Sequence, residues 1–307
     1  MKKILVSGGA GFIGSHLCDA LIKKNSEVFC VDNLISGSEK NIEHLLENKN
    51  FHFLKEDINF FSFDEKVNEV FHLASLASPV DYSAFPVETM LVGSVGTKNL
   101  LDLAVKNKAK FLFTSTSEVY GDPLEHPQKE SYWGNVNPVG QRSQYDESKR
   151  FSEALIKAYE KKFGFKGKIV RIFNTYGPRM KVDDGRVVPN FINQVLNNRL
   201  LTVYGSGKQT RSFCFVSDMV DGLIKMMDSD FFGPVNLGNP VEYSILDFGE
   251  KIKKLAGKNL SFDFRPALPD DPKQRKPDIS LAKEKLGWEP KISLDTGLRT
   301  TMDYFRN

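Results

Sequence analysis

The sequence predicts an α/β protein, a doubly wound parallel Rossmann sheet with a smaller, discontinuous C-terminal substrate domain. Three observations carry that expectation. Short β-branched and aromatic runs alternate with longer amphipathic segments, a glycine cluster joins the first run to the first amphipathic segment, and the alternation breaks down after Tyr176-Gly177-Pro178.

The runs Ile4–Ser7, Val28–Val31, Phe51–Leu54, Val70–Ala74, Phe111–Ser115 and Ile169–Phe173 read as strands, and Ser15–Lys24, Val87–Lys106 and Asp146–Phe163 as helices. Strand and helix in alternation imply right-handed crossovers and a parallel sheet. Beyond residue 178 the elements shorten and Gly, Pro and basic residues increase, with returns to the sheet near Cys214–Met227 and Val235–Leu237. The expected division is 1–172 with 213–235 as the Rossmann domain and 173–212 with 236–307 as the smaller substrate domain, lying over the carboxyl edge of the sheet.

Composition sets limits on function. The 307 residues are 40% apolar and 26% charged, ordinary globular usage. Lys plus Arg exceed Asp plus Glu by three without clustering, so neither nucleic acid nor a membrane is an expected partner. Cys18, Cys30 and Cys214 are odd in number and sit in apolar settings, which points to core residues and a reducing compartment. Only Ile4-Leu5-Val6 follow Met1-Lys2-Lys3 before Ser7-Gly8-Gly9, too short for a signal h-region, so a cytoplasmic location is expected. The histidines show no ligand spacing with the cysteines, and no metal is expected.

The glycine cluster is Gly8-Gly9-Ala10-Gly11-Phe12-Ile13-Gly14. Gly8, Gly11 and Gly14 let the backbone turn, approach a pyrophosphate and pack helix on strand, while the helix N-terminus faces the anion. Asp32 ends the second strand about twenty residues on, where a carboxylate binds a ribose diol. It would repel a 2'-phosphate, and Asn33-Leu34-Ile35-Ser36 offers no arginine, so NAD is favoured over NADP. Phe12, Ile13 and Asn33 are neighbouring cofactor candidates. Asp57-Ile58, after the third strand, is placed either to contact the adenine or as a plain loop. Leu73-Ala74, after the fourth, either leaves room for the nicotinamide ribose or serves core packing.

Tyr145-Asp146-Glu147-Ser148-Lys149 opens a helix, and its i, i+4 spacing puts Tyr145 and Lys149 on one face. A cation there stabilises a phenolate, so Tyr145 can take a hydroxyl proton as hydride leaves the same carbon for the nicotinamide. The pair gains weight from Thr114-Ser115-Thr116-Ser117-Glu118-Val119-Tyr120-Gly121, leaving the fifth strand at the edge where α/β sheets bind ligands. Arg211, in Gln209-Thr210-Arg211, is a candidate diphosphate clamp.

With these strings the chain resembles the extended short-chain dehydrogenase/reductases from end to end. Within them it is most similar to the UDP-glucuronate decarboxylases, through Ser115–Pro123, His126-Pro127-Gln128, Tyr132–Pro138, Arg171–Met180, Gln209–Phe213 and Arg275–Ile279. One departure is Ser148, where that family's string has Gly. The resemblance implies Thr116 as the hydroxyl residue beside the redox pair, Glu118 as proton acceptor and Arg275 as donor in decarboxylation. It also implies sugar or diphosphate contacts at Pro79, Tyr82, Ser117, Arg142 and Asn174, with UDP-glucuronate as substrate, UDP-xylose as product and a homodimer. An arginine acid is chemically awkward because its pKa is so high, and positioning a water is the alternative. A plain buried ion pair of Glu118 with an arginine also remains open.

The chemistry explains why such groups would be needed. The electrons of a uronic acid's breaking C–C bond have nowhere to go until C4 is oxidised to a ketone, which makes C5 the neighbour of a carbonyl and lets an enolate form. A 4-epimerase shares Thr116, Tyr145 and Lys149 without needing Glu118 and Arg275. A 4,6-dehydratase needs an acid where Ser117 stands, and a non-catalytic NAD-sensing protein is the remote alternative. A dimer is expected through apolar faces of two helices, with Met90, Leu91, Val95, Leu101 and Leu103 on one and Phe151, Ala154, Leu155 and Tyr159 on the other.

Overall fold

A computed structural model describes residues 1–267 and 272–306. Its elements are β1 Lys3–Ser7, α1 Phe12–Lys23, β2 Glu27–Val31, β3 Phe51–Leu54, β4 Glu69–His72, α2 Pro79–Ala84, α3 Pro86–Leu91, α4 Thr97–Asn107, β5 Lys110–Thr116 and α5 Ser143–Phe163. There follow β6 Gly167–Ile172, β7 Thr175–Tyr176, α6 Val187–Leu196, β8 Leu201–Tyr204, β9 Thr210–Ser212, β10 Cys214–Phe215, α7 Val216–Asp228 and β11 Pro234–Leu237. The chain closes with β12 Glu242–Ser244, α8 Ile245–Ala256, β13 Phe262–Arg265, β14 Gln274–Arg275, α9 Ser280–Leu286 and α10 Leu294–Arg306.

Seven strands form one parallel sheet in the order β11-β6-β5-β4-β1-β2-β3, the doubly wound arrangement expected. One face packs α1 and α7 around Val6, Leu17, Cys18, Cys30, Leu112 and Leu223. The other packs α4 and α5 around Leu5, Phe29, Leu100, Phe111 and Ile156. Burial on both faces explains why the strands read as continuous apolar runs rather than alternating ones. A third core joins α6, α8 and α10 through Phe191, Ile192, Val203, Phe248 and Leu298 and lies beyond the carboxyl edge.

Several expectations are corrected by packing. The predicted return at Cys214–Met227 is mainly helix: Cys214–Phe215 pair only with Thr175–Tyr176, and α7 then lies against the sheet's face. Its apolar residues fit a helix covering a sheet as well as a strand within one, which is why the run misled. Within 236–307, Ile279, Ala282 and Trp288 join the Rossmann core rather than the third one. The predicted helix Val87–Lys106 contains a wide π turn at Val92–Gly96. Its two glycines permit close approach, since a Cβ on Gly93 would stand 2.6 Å from the Ser148 Cβ and one on Gly96 2.6 Å from Ile58. Of the apolar residues expected at a dimer face, Leu101, Leu103 and Tyr159 are consumed by the sheet core, whereas Met90, Leu91, Val95 and Phe151 remain exposed.

Candidate active site

A cavity of about 1080 Å³ runs along the carboxyl ends of the strands, from the glycine turn to the third core. It lies over the point between β1 and β4 where the strand order reverses, the usual ligand crevice of such sheets.

At one end the chain fits a dinucleotide. The helix begins at Phe12, inside the glycine run and three residues earlier than expected, so Gly14 lies within it. A Cβ on Gly14 would fall 2.0 Å from the Gly8 carbonyl oxygen, and one on Gly8, at φ +73°, 2.6 Å from the Ala74 nitrogen. Side chains at those positions would fill the cradle. The Asp32 carboxylate accepts from the backbone N–H of Ala10 (3.0 Å) and Leu34 (2.9 Å). Burial raises its pKa from the usual range against the lowering effect of those bonds. Asn33 donates to Asp57 at 3.0 Å, joining two predicted cofactor residues. Gly11, Phe12, Ile13, Ile58, Leu73 and Ala74 also line the cavity.

Farther along stand Tyr145 and Lys149, the pair expected to serve the redox steps. Tyr145 and Lys149 are both nearly fully buried on the first turns of α5. The Thr116 side chain hydrogen-bonds Tyr145, and the Tyr82 ring stacks on it at 5.4 Å and 13°. Such a stack contributes roughly 0.5–1.5 kcal/mol beyond burial. Lys149 Nζ donates to the Thr114 carbonyl oxygen at 2.8 Å and sits 4.7 Å from the Phe113 ring centre. Burial dominates both groups: it raises the Tyr145 phenol well above its ordinary value and lowers Lys149 to about 7.

Next to the pair, three separated segments build a charged cluster. Glu118 lies on a 3₁₀ turn that leaves β5, capped by the Thr116 hydroxyl, which accepts from the Glu118 N–H at 3.2 Å. Arg142 donates to its carboxylate from the start of α5. Arg275 donates to the same oxygen at 3.1 Å and to the Ser117 carbonyl at 2.8 Å. Burial pushes the Glu118 pKa up, but the guanidinium charges of Arg275, Arg142 and Arg211 outweigh it and hold the carboxyl at about 2. Arg211 and Arg275 come together because β9 and β14 pair in parallel with those residues in register.

Thr116, Ser117, Glu118, Arg142, Tyr145, Lys149, Pro79, Tyr82, Asn174 and Arg211 all line the one cavity. Arg275 stands apart from the other predicted catalytic residues: it is 1% exposed and lies behind Glu118 rather than on the wall. Two features escaped the sequence reading. Arg186, at the start of α6, lines the cavity held by two bonds to Asp184, in an aperiodic stretch that gave no signal. Asp146 is buried beside Glu118, yet a neighbour of Tyr145 along a helix is turned about 100° away, so spacing pointed elsewhere.

The fold and site define a nucleotide-sugar enzyme of the extended short-chain dehydrogenase/reductase class. A family profile described as GDP-mannose 4,6 dehydratase matches residues 5–301. UDP-glucuronic acid decarboxylase 1 of Arabidopsis thaliana is 52% identical over 305 residues, 99% of this chain and 70% of that protein. Among solved structures, UDP-glucose 4-epimerase of Thermotoga maritima with UDP-glucose superposes with a TM-score of 0.91 at 31% identity, covering 99% of this chain and 98% of that one. UDP-glucuronic acid 4-epimerase of Bacillus cereus, in complex with UDP-glucuronic acid and NAD, does so with a TM-score of 0.87 at 32% identity, covering 99% of both. The chain belongs to the UDP-glucuronic acid decarboxylase family of NAD-dependent epimerases and dehydratases.

Proposed function

We propose that this chain decarboxylates UDP-glucuronate to UDP-xylose through a 4-keto intermediate, with NAD as its cofactor. The observation that carries the reading is the Glu118 carboxylate, bracketed by Arg142 and Arg275 on the cavity wall immediately beyond the Thr116–Tyr145 pair. A 4-epimerase needs the redox pair but not that cluster, and the 52% identity with a decarboxylase supports the same choice.

The glycine turn, Asp32, Asn33 and Asp57 would hold NAD, which would supply a reversible hydride acceptor for C4. Tyr145 takes the C4 hydroxyl proton and returns it, with Thr116 hydrogen-bonded to the same oxygen and Lys149 providing the cation that a phenolate needs. Ser117, Arg142, Tyr82 and Pro79 hold the sugar, and Asn174 and Arg211 the diphosphate. Glu118 stays ionised at neutral pH and orients the ring at C5. Arg275, behind it, fixes that carboxylate rather than touching the sugar. Residues 1–172 with 213–235 form the NAD half and 173–212 with 236–307 the sugar half, except that 236–237 complete β11 and 279–288 pack with the former.

The working form is proposed to be a homodimer through α3 and α5, where Val87, Met90, Leu91, Val95 and Phe151 leave an exposed apolar face. No described helix is long and apolar enough to cross a membrane, and a cytoplasmic location is part of the proposal. Incubation with UDP-glucuronate, assayed for carbon dioxide and a UDP-pentose, tests the reading. Appearance of UDP-galacturonate without carbon dioxide would replace it with the epimerase.

A further inference from the structure

We infer that Asp146 is the proton-holding residue of the decarboxylating end, keeping the proton that C5 consumes and delivering it by way of Glu118. The inference rests on the proposed decarboxylation and adds the source of a proton that reaction must find.

The balance of the reaction demands one. When the C5 carboxylate leaves as carbon dioxide, the electron pair of the broken C–C bond enters the C4 ketone as an enolate, and a new C5–H bond then forms. A carboxylate and a proton become a C–H bond and carbon dioxide, so one proton is taken up per turnover. Tyr145 cannot be its source, because the proton it removes from the C4 hydroxyl must return there when the ketone is reduced. Glu118, held at about 2, carries no proton near neutrality. Arg142 and Arg275 are guanidiniums that do not release theirs.

Asp146 meets the requirement by position. It is 7% exposed, lies in the first turn of α5 directly after Tyr145, and its backbone N–H bonds the Arg142 carbonyl at 3.1 Å. Its Oδ1 is buried with no hydrogen-bond partner among the described residues. A buried carboxylate oxygen in that condition disfavours the charged form, because no donor replaces the water it has lost. The charged groups facing it are Glu118 from the turn after β5, Arg142 and Glu147 on its own helix, and Arg275 from β14. Burial above all, and then the Glu118 charge, push its carboxyl up to about 7 against the two arginines. An acid that titrates near neutrality thus shares the cluster with one that stays ionised. Since Asp146 is absent from the cavity wall, it acts through Glu118, which lines the cavity.

The test follows product formation from UDP-glucuronate between pH 6 and 9 in the wild type, Asp146→Asn and Asp146→Glu, alongside single-turnover reduction of the nicotinamide. In the wild type, carbon dioxide release should fall more steeply than nicotinamide reduction as pH rises through about 7, because the acid form of Asp146 is lost in addition to the Lys149 charge, and this extra descending limb is the signal. Asp146→Asn should abolish that extra limb and slow release at least tenfold at pH 6.5, leaving KM and the rate of nicotinamide reduction within about twofold. Asp146→Glu should recover most of the rate with a displaced limb. Wild-type release that falls no more steeply than nicotinamide reduction overturns the inference, whether or not the asparagine variant folds. An asparagine variant that keeps the limb, or loses both phases equally with a raised KM, also overturns it. No carbon dioxide from the wild type overturns the proposed function first and this inference with it.

Discussion

At the redox end of the cavity, Tyr145 and Lys149 share their surroundings with the Thr114 carbonyl, the Phe113 ring and the stacked ring of Tyr82. Four ionisable groups, Glu118, Arg142, Arg275 and Asp146, crowd the other end, to which we assign decarboxylation. Both ends are buried, yet burial wins at the first and loses at Glu118. With only Glu153 as a favourable charge, Lys149 falls to about 7. With three guanidiniums near it, Glu118 falls to about 2 instead of rising. Desolvation therefore sets the direction only where no counter-charge is supplied. Burial thus shifts Tyr145 and Lys149 toward their neutral forms, while the arginines hold Glu118 as an anion.

The largest expected effect lies at the redox end. Tyr145→Phe should lower kcat by about a thousandfold or more, because only the ionisable hydroxyl is lost. Binding of NAD and UDP-sugar, followed by calorimetry, should change little. Turnover near wild-type in that variant would remove the redox mechanism and, with it, the distinction between the two ends.

Glu118→Gln should act at the other end, slowing carbon dioxide release about a hundredfold while initial nicotinamide reduction, read by stopped flow, stays within a few-fold. Equal loss of both phases would demote Glu118 to a structural ion pair. The same variant probes the electrostatics. The Glu118 pKa is depressed in the fold, so its contribution to stability is fully present above the ordinary value of 4.5 and is lost as pH falls toward about 2. Removing the anion should destabilise the protein at pH 7 by on the order of 3 kcal/mol, since two arginines lose their partner. The gap in melting temperature between the two proteins should narrow from pH 5 to pH 3. A gap independent of pH would mean that the arginines do not hold the carboxyl down.

The two ends also differ in how legible they were. Tyr145, Lys149 and the glycine turn are set by spacing within single elements, so helix geometry and the strand-turn-helix context locate them without tertiary information. The six strands expected before residue 174 lie within a residue or two of those observed, because burial on both faces makes their apolar runs unbroken, whereas the short strands beyond Tyr176 carry no such run. The charged end depends on β9 and β14 pairing in register, which brings Arg211 and Arg275 to Glu118 across more than ninety residues of chain. No local pattern encodes that, and only the family resemblance named Arg275. Its position behind Glu118 was not legible at all, nor was Asp146, whose significance arises from burial.

A smaller effect is expected away from the chemistry. Replacing Met90 and Phe151 with Asp, at 41% and 49% exposure on α3 and α5, should convert a dimer to a monomer in light scattering at micromolar concentration. Because α5 carries Tyr145 and Lys149 at its start, the monomer should lose several-fold in kcat, with the redox phase affected more than carbon dioxide release. A wild type that is a monomer at full activity would show that the apolar face serves no second copy.

The smallest effect is expected at Ser148, where the family's string has Gly. Its hydroxyl donates to the Tyr145 carbonyl oxygen at 2.8 Å, and its Cβ fills the space left by the missing side chain of Gly93. Neither contact is to the Tyr145 ring, whose partners are Tyr82 and Thr116, so Ser148→Gly should leave kcat and KM within twofold. Stability should fall by about 1 kcal/mol, since glycine raises the entropy cost of a helix interior and a small gap opens against the π turn. Thermal melts beside steady-state rates separate the two effects. A change in kcat larger than tenfold would mean that the π turn, through Gly93 and Ser148, sets the orientation of Tyr145, and that the redox end depends on tertiary packing as much as the charged end does.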